Sequence, residues 1–140
     1  YDIPLRLVGS EMCIRGRSDV DRQGHVNNVS LAGYLQEARI LATTSWSPGM
    51  RRAGNYLWVV VRQDIRYRRQ VLPTQRSCRV HTALTRLGTS SMTLAGSIAT
   101  EEGSALDAAT VLVCVDPKTG ASVPIDDQTR QALSAYLVTV

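Results

Sequence analysis

The sequence predicts an α+β domain in which an antiparallel sheet wraps around one long central helix. Residues 29–44 carry apolar side chains at helical spacing nearly all the way round. Four later segments alternate apolar and polar side chains with a period of two. Short turn sequences separate most of these segments, which favours antiparallel pairing. A helix that is apolar on nearly every side is buried only if a sheet curls around it.

The predicted helix has an amide cap at its start and a helix-breaking sequence at its end. Asn27 or Asn28 can accept a hydrogen bond from the otherwise unpaired amides of the first turn. The Ser-Pro-Gly sequence at 47–49 ends the helix. The apolar positions that recur on one helix face are Leu31, Leu35, Ala38 and Ala42.

The period-two segments predict four strands, and a short helix follows them. The first strand has an apolar face, Val59, Val61, Ile65 and Tyr67, and a polar face, Arg62, Asp64, Arg66 and Arg68. The alternation continues through Cys78, Val80, Thr82 and Leu84, then Met92, Leu94 and Ile98, then Ala109, Val111, Val113 and Val115. Turns are expected around Gly88, at 101–104 and at 116–120. A closing helix is predicted over 125–137 with Asp126 or Asp127 as its cap.

The composition is that of one globular domain. The chain has 140 residues, of which 44% are hydrophobic and 20% are charged, close to the averages for soluble proteins. A chain of this length buries a core without disulfides or metal ions. We therefore expect residues 1–140 to form a single domain, and we exclude disordered and fibrous architectures.

Short segments of the sequence predict the cellular location and the state of the cysteines. The longest uninterrupted apolar run, 57–61, is far shorter than the ~20 residues that cross a bilayer, and the first residues lack the features of a signal peptide. We therefore expect a cytoplasmic protein with no membrane partner. Cys13, Cys78 and Cys114 lie far apart in apolar strand-like segments, which indicates buried reduced thiols. We expect neither a metal nor a cofactor.

A net charge of +4 raises the question of an anionic partner. Only one aromatic residue, Tyr67, lies among the clustered arginines, and no nucleic-acid motif is present. We therefore exclude nucleic acid and expect a solvated arginine-rich strand face, part of which can serve phosphates on a small substrate. The clustered arginines are Arg62, Arg66, Arg68, Arg69, Arg76 and Arg79.

The segment SDVDRQGHVNN at 18–28 gathers carboxylates, a histidine and amides directly before the helix. The longer stretch DVDRQGHVNNVSLAGYLQEAR resembles hotdog-fold thioesterases of the 4-hydroxybenzoyl-CoA thioesterase type, and it is also similar to plant acyl-ACP thioesterases. VVVRQDIRYRRQVLP, TRLGTSSMTL and ATVLVCVDPKTGASVPI follow in that family's strand order, so the resemblance covers about 18–133. The sequence departs from the family pattern in two places. YRRQVLP lacks the proline that commonly follows the tyrosine by three residues, and the N-terminal segment is longer than usual. The long segment indicates a small hairpin turning at Gly9 and Ser10.

The resemblance implies a hotdog fold and an acyl-CoA thioesterase. Asp21 is then the nucleophile or the general base on water, with Asp19 as a supporting neighbour. The backbone amide of Asn28 is implied as the oxyanion donor, because first-turn amides are unpaired and lie at the positive end of the helix dipole. His25 has either a chemical role or a purely structural one.

Several other residues are predicted around the substrate. Gly24 permits the fold-back of the loop, and Val26 and Asn27 border the same small volume. Arg68, Arg69 and Arg86, with Ser90 and Ser91, are candidates for the phosphates of coenzyme A. Trp46, Trp58 and Tyr34 are candidates to border the acyl group, although large aromatic side chains are more often part of the core. Glu37 is interpreted as structural, and His81 receives no role.

In this family, subunits pair by joining sheet edges, so a homodimer or a dimer of dimers is expected, with active grooves at the interface. Three alternatives stay open: a thioesterase acting on acyl-carrier-protein substrates, a non-catalytic hotdog domain that binds acyl thioesters, and a hydratase-like enzyme. The last requires a different acid-base pair, of which the sequence gives no sign.

Overall fold

The computed structural model describes residues 8–13, 28–47, 56–71 and 77–138. These residues form an α+β fold, as predicted. The elements in chain order are β1 (Val8–Cys13), α1 (Asn28–Trp46), β2 (Leu57–Tyr67), β3 (Ser77–Leu87), β4 (Ser91–Thr100), β5 (Gly103–Val115) and α2 (Asp127–Ser134). No helix within these ranges has the length and apolar character needed to cross a membrane.

The strands form one antiparallel sheet in the order β1-β3-β4-β5-β2. The short turns join neighbours as predicted, so β3 pairs with β4 and β4 with β5. β2 pairs with β5 and therefore lies at the opposite edge from β1. The expected hairpin at Gly9 and Ser10 is wrong, because these residues pair with His81 and Val80 in one continuous register along β1.

The two ends of the sheet differ in the turns that they contain. The Gly88 end contains the turn between β3 and β4, and the Gly103 end contains the turn between β4 and β5. Gly103 has φ +117°, a backbone conformation that glycine adopts without strain.

α1 lies along the sheet from the Gly103 end toward the Gly88 end. Its first half packs on a cluster that includes Cys78, Ile98 and Leu106, and its second half packs on Leu84 and Met92 with α2 residue Leu133. The helix approaches β4 closely at Gly96, where an added Cβ would lie 3.1 Å from Leu35 Cδ2. The buried helix positions Leu31, Leu35, Ala38 and Ala42 are those that the sequence predicts.

Two apolar side chains of α1 are exposed, although the sequence predicts an apolar surface nearly all the way round this helix. Val29 is 82% exposed and Leu41 is 58% exposed. A sheet of five strands covers one side of the helix, so the opposite side has no cover within the described residues of this chain.

The predicted face assignment of β2 is wrong for two residues. The register shifts between Val60 and Arg62, and such a bulge reverses the alternation of side chains. Val60 pairs with Leu112, whose side chain is buried, so Val60 lies on the helix side of the sheet. Val59 and Val61, expected on that side, are exposed at the edge strand.

The buried face of β5 is also opposite to the prediction. Leu106, Thr110, Leu112 and Cys114 are buried, whereas Ala109 is exposed and the valines at 111, 113 and 115 are only partly buried. β3 and β4 agree with the prediction, since Cys78, Val80, Thr82, Leu84, Met92, Leu94 and Ile98 are all buried.

The closing helix is shorter than predicted but begins at the expected cap. Asp126 is the N-cap of α2, and its Oδ1 accepts a hydrogen bond from the Thr129 backbone N–H at 2.7 Å. The segment after α2 returns to the sheet, where the Val138 N–H donates to the Leu84 carbonyl. Cys78 and Cys114 are buried and do not form a disulfide, as expected.

Candidate active site

The first-turn backbone amides of α1 have no hydrogen-bond acceptor within the helix itself. Asn28 is the first residue of the helix and is exposed. The first turn contains no acidic side chain, so no carboxylate of α1 itself neutralises the positive end of the dipole there. Such an N-terminus can accept a negatively charged oxygen. Asp19, Asp21, Gly24, His25, Val26 and Asn27 lie outside the described residues.

The five residues predicted to contact coenzyme A phosphates fall into two groups. Arg68 and Arg69 follow β2 at the Gly103 end, which is also the end where α1 begins. Arg86, Ser90 and Ser91 lie at the Gly88 end. The length of β4 separates these ends by about 30 Å at 3.3 Å per residue. The structure therefore does not bring the five residues together within one chain.

The two arginines at the Gly103 end differ in their surroundings. Arg68 pairs with Asp107, and its backbone N–H donates to the Ala105 carbonyl at 2.8 Å. Arg69 is exposed and lies against the turn at Gly103. Within the described residues no carboxylate pairs with Arg69, so its charge is available to an anionic ligand.

The turn at the Gly88 end is held by backbone hydrogen bonds. The Ser90 carbonyl accepts from the Cys114 N–H at 2.8 Å, and the Ser91 carbonyl accepts from the Gly88 N–H at 2.8 Å. Arg130 of α2 donates to the carbonyls of Gly88 and Thr89. These contacts to the backbone hold the turn in place.

The aromatic candidates separate clearly. Tyr34 and Trp46 are buried in the core, and Trp46 stacks on Tyr136 with ring centroids 5.7 Å apart. Trp58 is only partly buried and forms part of a cavity wall.

This cavity has a volume of about 280 Å³ and lies between the second half of α1 and strands β2, β4 and β5. Its lining includes Arg39, Ile40, Thr43, Trp58, Met92 and Leu112. Of these, only Trp58 was predicted from the sequence to bind substrate. An arginine inside the apolar stretch 38–42 is the signal that could have indicated the site.

Two other ionisable residues considered from the sequence lie outside the cavity lining. Glu37 is exposed on α1. His81 lies within β3, where burial and the charge of Arg79 lower its pKa. Across the parts of the chain that the structure describes, no group of three His, Cys, Asp or Glu side chains could hold a metal ion.

Comparison with solved structures finds the same fold in several bacterial proteins. A predicted thioesterase from Bacillus stearothermophilus is 22% identical, with 96% of this chain and 98% of that chain covered and a TM-score of 0.84. A Thermus thermophilus thioesterase complexed with coenzyme A and Zn is 27% identical, with 94% and 93% covered and a TM-score of 0.79. A probable thioesterase from Escherichia coli is 28% identical, with 93% and 98% covered and a TM-score of 0.79.

Sequence comparison gives the family. No curated protein matches the chain significantly. The family model of the thioesterase-like superfamily matches residues 16–133, a range that includes the motif before α1, the helix α1, strands β2 to β5 and all but the last residue of α2. The predicted hotdog fold and the predicted class of reaction agree with this match. The chain therefore belongs to the thioesterase-like superfamily and is a thioester hydrolase.

Proposed function

We propose that this protein hydrolyses acyl-CoA thioesters to a free acid and the coenzyme A thiol. The observation that carries the proposal is its similarity, over 94% of the chain, to a thioesterase complexed with coenzyme A. The exposed start of α1 supports the proposal, because it can stabilise the oxygen that gains charge during acyl transfer.

In the proposed reaction, the Asp21 carboxylate takes a proton from water while the water oxygen attacks the thioester carbonyl carbon. The carbonyl oxygen becomes an oxyanion that accepts a hydrogen bond from the Asn28 backbone N–H. The C–S bond then breaks, and the thiolate leaves and takes up a proton. A thiolate is a good leaving group, so the step needs no strong general acid.

The second form of the proposal makes Asp21 the nucleophile. A carboxylate oxygen attacks the carbonyl carbon, the thiolate leaves, and water hydrolyses the resulting anhydride. Asn28 has the same role in both forms, and one such donor contributes about 3 kcal/mol to transition-state stabilisation. Gly24, His25, Val26 and Asn27 are proposed to shape the loop and border the thioester.

For the phosphates of coenzyme A we propose Arg68 and Arg69, because they lie at the end of the sheet where α1 begins. Arg69 is the stronger candidate, since Asp107 already pairs with Arg68. Arg86, Ser90 and Ser91 can contact the same coenzyme A only from a second subunit, because of their distance along β4.

We also propose that two chains pair through the β2 edge. β2 is the last strand of the sheet, and exposed apolar side chains lie along it, at Leu57, Val59, Val60, Val61 and Tyr67. An exposed apolar edge strand is a template for pairing with another strand. A homodimer, or a dimer of dimers, covers this edge. A cytoplasmic location and a single domain over 1–140 stay predictions.

The function is tested by offering a panel of aliphatic and aromatic acyl-CoAs and following the release of free thiol. The proposal predicts catalytic hydrolysis of at least one of them. Binding without turnover of any member would contradict it and favour a non-catalytic acyl-thioester-binding domain.

The same acyl groups on acyl carrier protein test the second candidate. The net charge of +4 suits an acidic carrier protein, so charge does not separate the two substrates. A higher kcat/KM for the coenzyme A thioesters supports the proposal. A higher kcat/KM for the acyl-carrier-protein thioesters would instead support the second candidate, an acyl-carrier-protein thioesterase.

A further inference from the structure

We propose that the cavity beside α1 selects an acyl group that carries a carboxylate at the end remote from the thioester, and that Arg39 binds this carboxylate. The inference rests on the proposed function, because the acyl group must be held as a thioester at the start of α1. It adds to that function a substrate class, the ω-carboxyacyl thioesters.

The cavity has the size and walls for an acyl chain. Its apolar lining includes Ile40 from the helix, Trp58 from β2, Met92 from β4 and Leu112 from β5. A volume of about 280 Å³ corresponds to roughly nine water volumes at ~30 Å³ each. The cavity therefore fits an acyl group of intermediate size better than a long fatty chain.

Arg39 places a positive charge in this apolar cavity. Its side chain is half-buried, and burial lowers the pKa of its guanidinium. It also borders a small crevice beneath the helix beside Leu35 and Gly96, so it lies between α1 and the sheet. A cation removed from water is costly unless an anion or a hydrogen-bond acceptor compensates it.

No such anion is present among the described residues. The ion pairs there are Arg62 with Asp64 and Arg68 with Asp107. Glu37 is exposed two positions before Arg39, and residues two apart do not share a helix face. A carboxylate on the occupant can accept two parallel hydrogen bonds from a guanidinium.

Trp58 contributes its indole ring to the cavity wall. Its indole N–H is shielded from solvent and has no hydrogen-bond partner within the described ranges. Thr43 does not supply another donor, because its hydroxyl donates to the Arg39 carbonyl at 2.9 Å. The donor that borders the cavity is therefore the Arg39 guanidinium, which has no carboxylate partner among the described residues and favours an occupant that carries oxygen.

The helix geometry restricts the length of the acyl group. Arg39 lies eleven residues after Asn28, which is about 16 Å along the axis at 1.5 Å per residue. Helical side chains lean toward the N-terminus, which shortens the span between the Asn28 amide and the guanidinium. A dicarboxylic acyl group of intermediate length is therefore expected to span the two sites best.

The proposed dimer completes the cavity. Val60 belongs both to the exposed apolar edge of β2 and to the cavity lining. Pairing at this edge brings a second chain against the open side of the cavity. Exclusion of water there strengthens the interaction between Arg39 and a carboxylate.

The test compares three pairs of substrates with equal chain length, one member ending in a carboxylate and the other in a methyl group. The pairs are adipoyl- and hexanoyl-CoA, suberoyl- and octanoyl-CoA, and sebacoyl- and decanoyl-CoA. We expect a higher kcat/KM for the carboxylate member of at least one pair. In Arg39→Met, we expect kcat/KM for that member to fall by about 10- to 100-fold more than kcat/KM for its methyl-ended counterpart. Arg39→Lys retains part of the preference. Arg79→Met, which removes an exposed arginine of β3 outside the cavity, leaves it unchanged.

A binding readout independent of turnover uses Trp46→Phe, in which Trp58 is the only tryptophan. We expect the thioether analogue of the preferred ω-carboxyacyl-CoA to change Trp58 fluorescence and to bind about tenfold or more tightly than the methyl-ended analogue. The additional substitution Arg39→Met is expected to remove the difference in affinity between the two analogues.

These experiments distinguish the failure of this inference from the failure of the proposed function. Hydrolysis of methyl-ended substrates with no carboxylate preference, or equal losses on both series in Arg39→Met, overturns the carboxylate site alone. No hydrolysis of any acyl-CoA, with no discrimination between the two thioether analogues, overturns both.

Discussion

Two effects act on the thiol of Cys114. Burial raises its pKa, and the negative charge of Asp126 raises it further, to about 11. The thiol is therefore protonated at neutral pH, and the protonated form is not the nucleophile. Cys114 is a core residue of β5 and has no place in the proposed reaction.

We predict that Cys114 does not react with a thiol reagent in the folded protein. Cys13→Ser combined with Cys78→Ala leaves it as the only cysteine. At pH 8 the native variant should release almost no chromophore from a disulfide reagent, and the urea-unfolded variant should release one equivalent. Rapid reaction of the native variant would contradict the account of this residue.

The site residues that the motif names stay predictions, and the structure shows only that Asn28 begins α1. Asp21 and Asn28 follow from the resemblance, although the structure describes only Asn28. The sequence did not indicate Arg39, because its position in a cavity wall depends on three strands that come later in the chain. The phosphate candidates separated into two groups for the same reason, since sequence order does not reveal which end of a sheet a turn occupies.

At the scale of elements, local patterns predicted boundaries better than faces. α1 was expected over 29–44 and runs from Asn28 to Trp46. The face of β2 was wrong because a bulge near Val61 has no signature in a period-two pattern. The face of β5 was wrong because Leu112 and Cys114 alternate with equally apolar valines, so both faces of this strand satisfy the pattern.

The N-cap of α2 gives a prediction about stability and pH. Hydrogen bonds from the Thr129 backbone lower the pKa of Asp126 below its ordinary value of 3.8. Because the pKa is lower in the folded state, the carboxylate stabilises the protein above the unfolded-state value. This contribution is lost as the pH falls through the folded-state value.

Asp126→Ala should therefore lower the free energy of unfolding by about 1 kcal/mol at pH 7, and Asp126→Asn should lower it less. Urea unfolding at pH 7 and near pH 3 measures the difference in free energy of unfolding between wild type and Asp126→Asn. That difference should shrink at the lower pH. A difference that stays constant or grows on acidification would contradict the role of the charged cap.

For the whole molecule, the sheet order explains two surfaces that the described residues leave uncovered. β2 is an edge strand with exposed valines, and the outer side of α1 exposes Val29 and Leu41. The cavity brings these surfaces together, because Val60 and Ile40 both line it. The sequence predicted subunit pairing by family resemblance, but β2 could be named only once its pairing with β5 was known.

We predict that Val61→Asp converts the protein from a dimer to a monomer and lowers its hydrolytic activity. Val61 is 57% exposed on the β2 edge, and pairing there would bury the new charge without a partner. Gln128→Asp, on the exposed surface of α2, adds the same charge and should leave the dimer intact. Sedimentation velocity distinguishes the two states, and a Val61→Asp variant that stays dimeric would exclude β2 as the interface.

The most direct test of the proposed mechanism compares Asp21→Asn with Glu37→Gln. Both substitutions replace a carboxylate by an amide, but Glu37 is exposed on α1, nine residues after Asn28. With the best substrate of the acyl-CoA panel, Asp21→Asn should lower kcat by about 100-fold or more, while Glu37→Gln retains the wild-type rate. Full thiol release by Asp21→Asn would contradict the proposed role of this carboxylate beside the helix start.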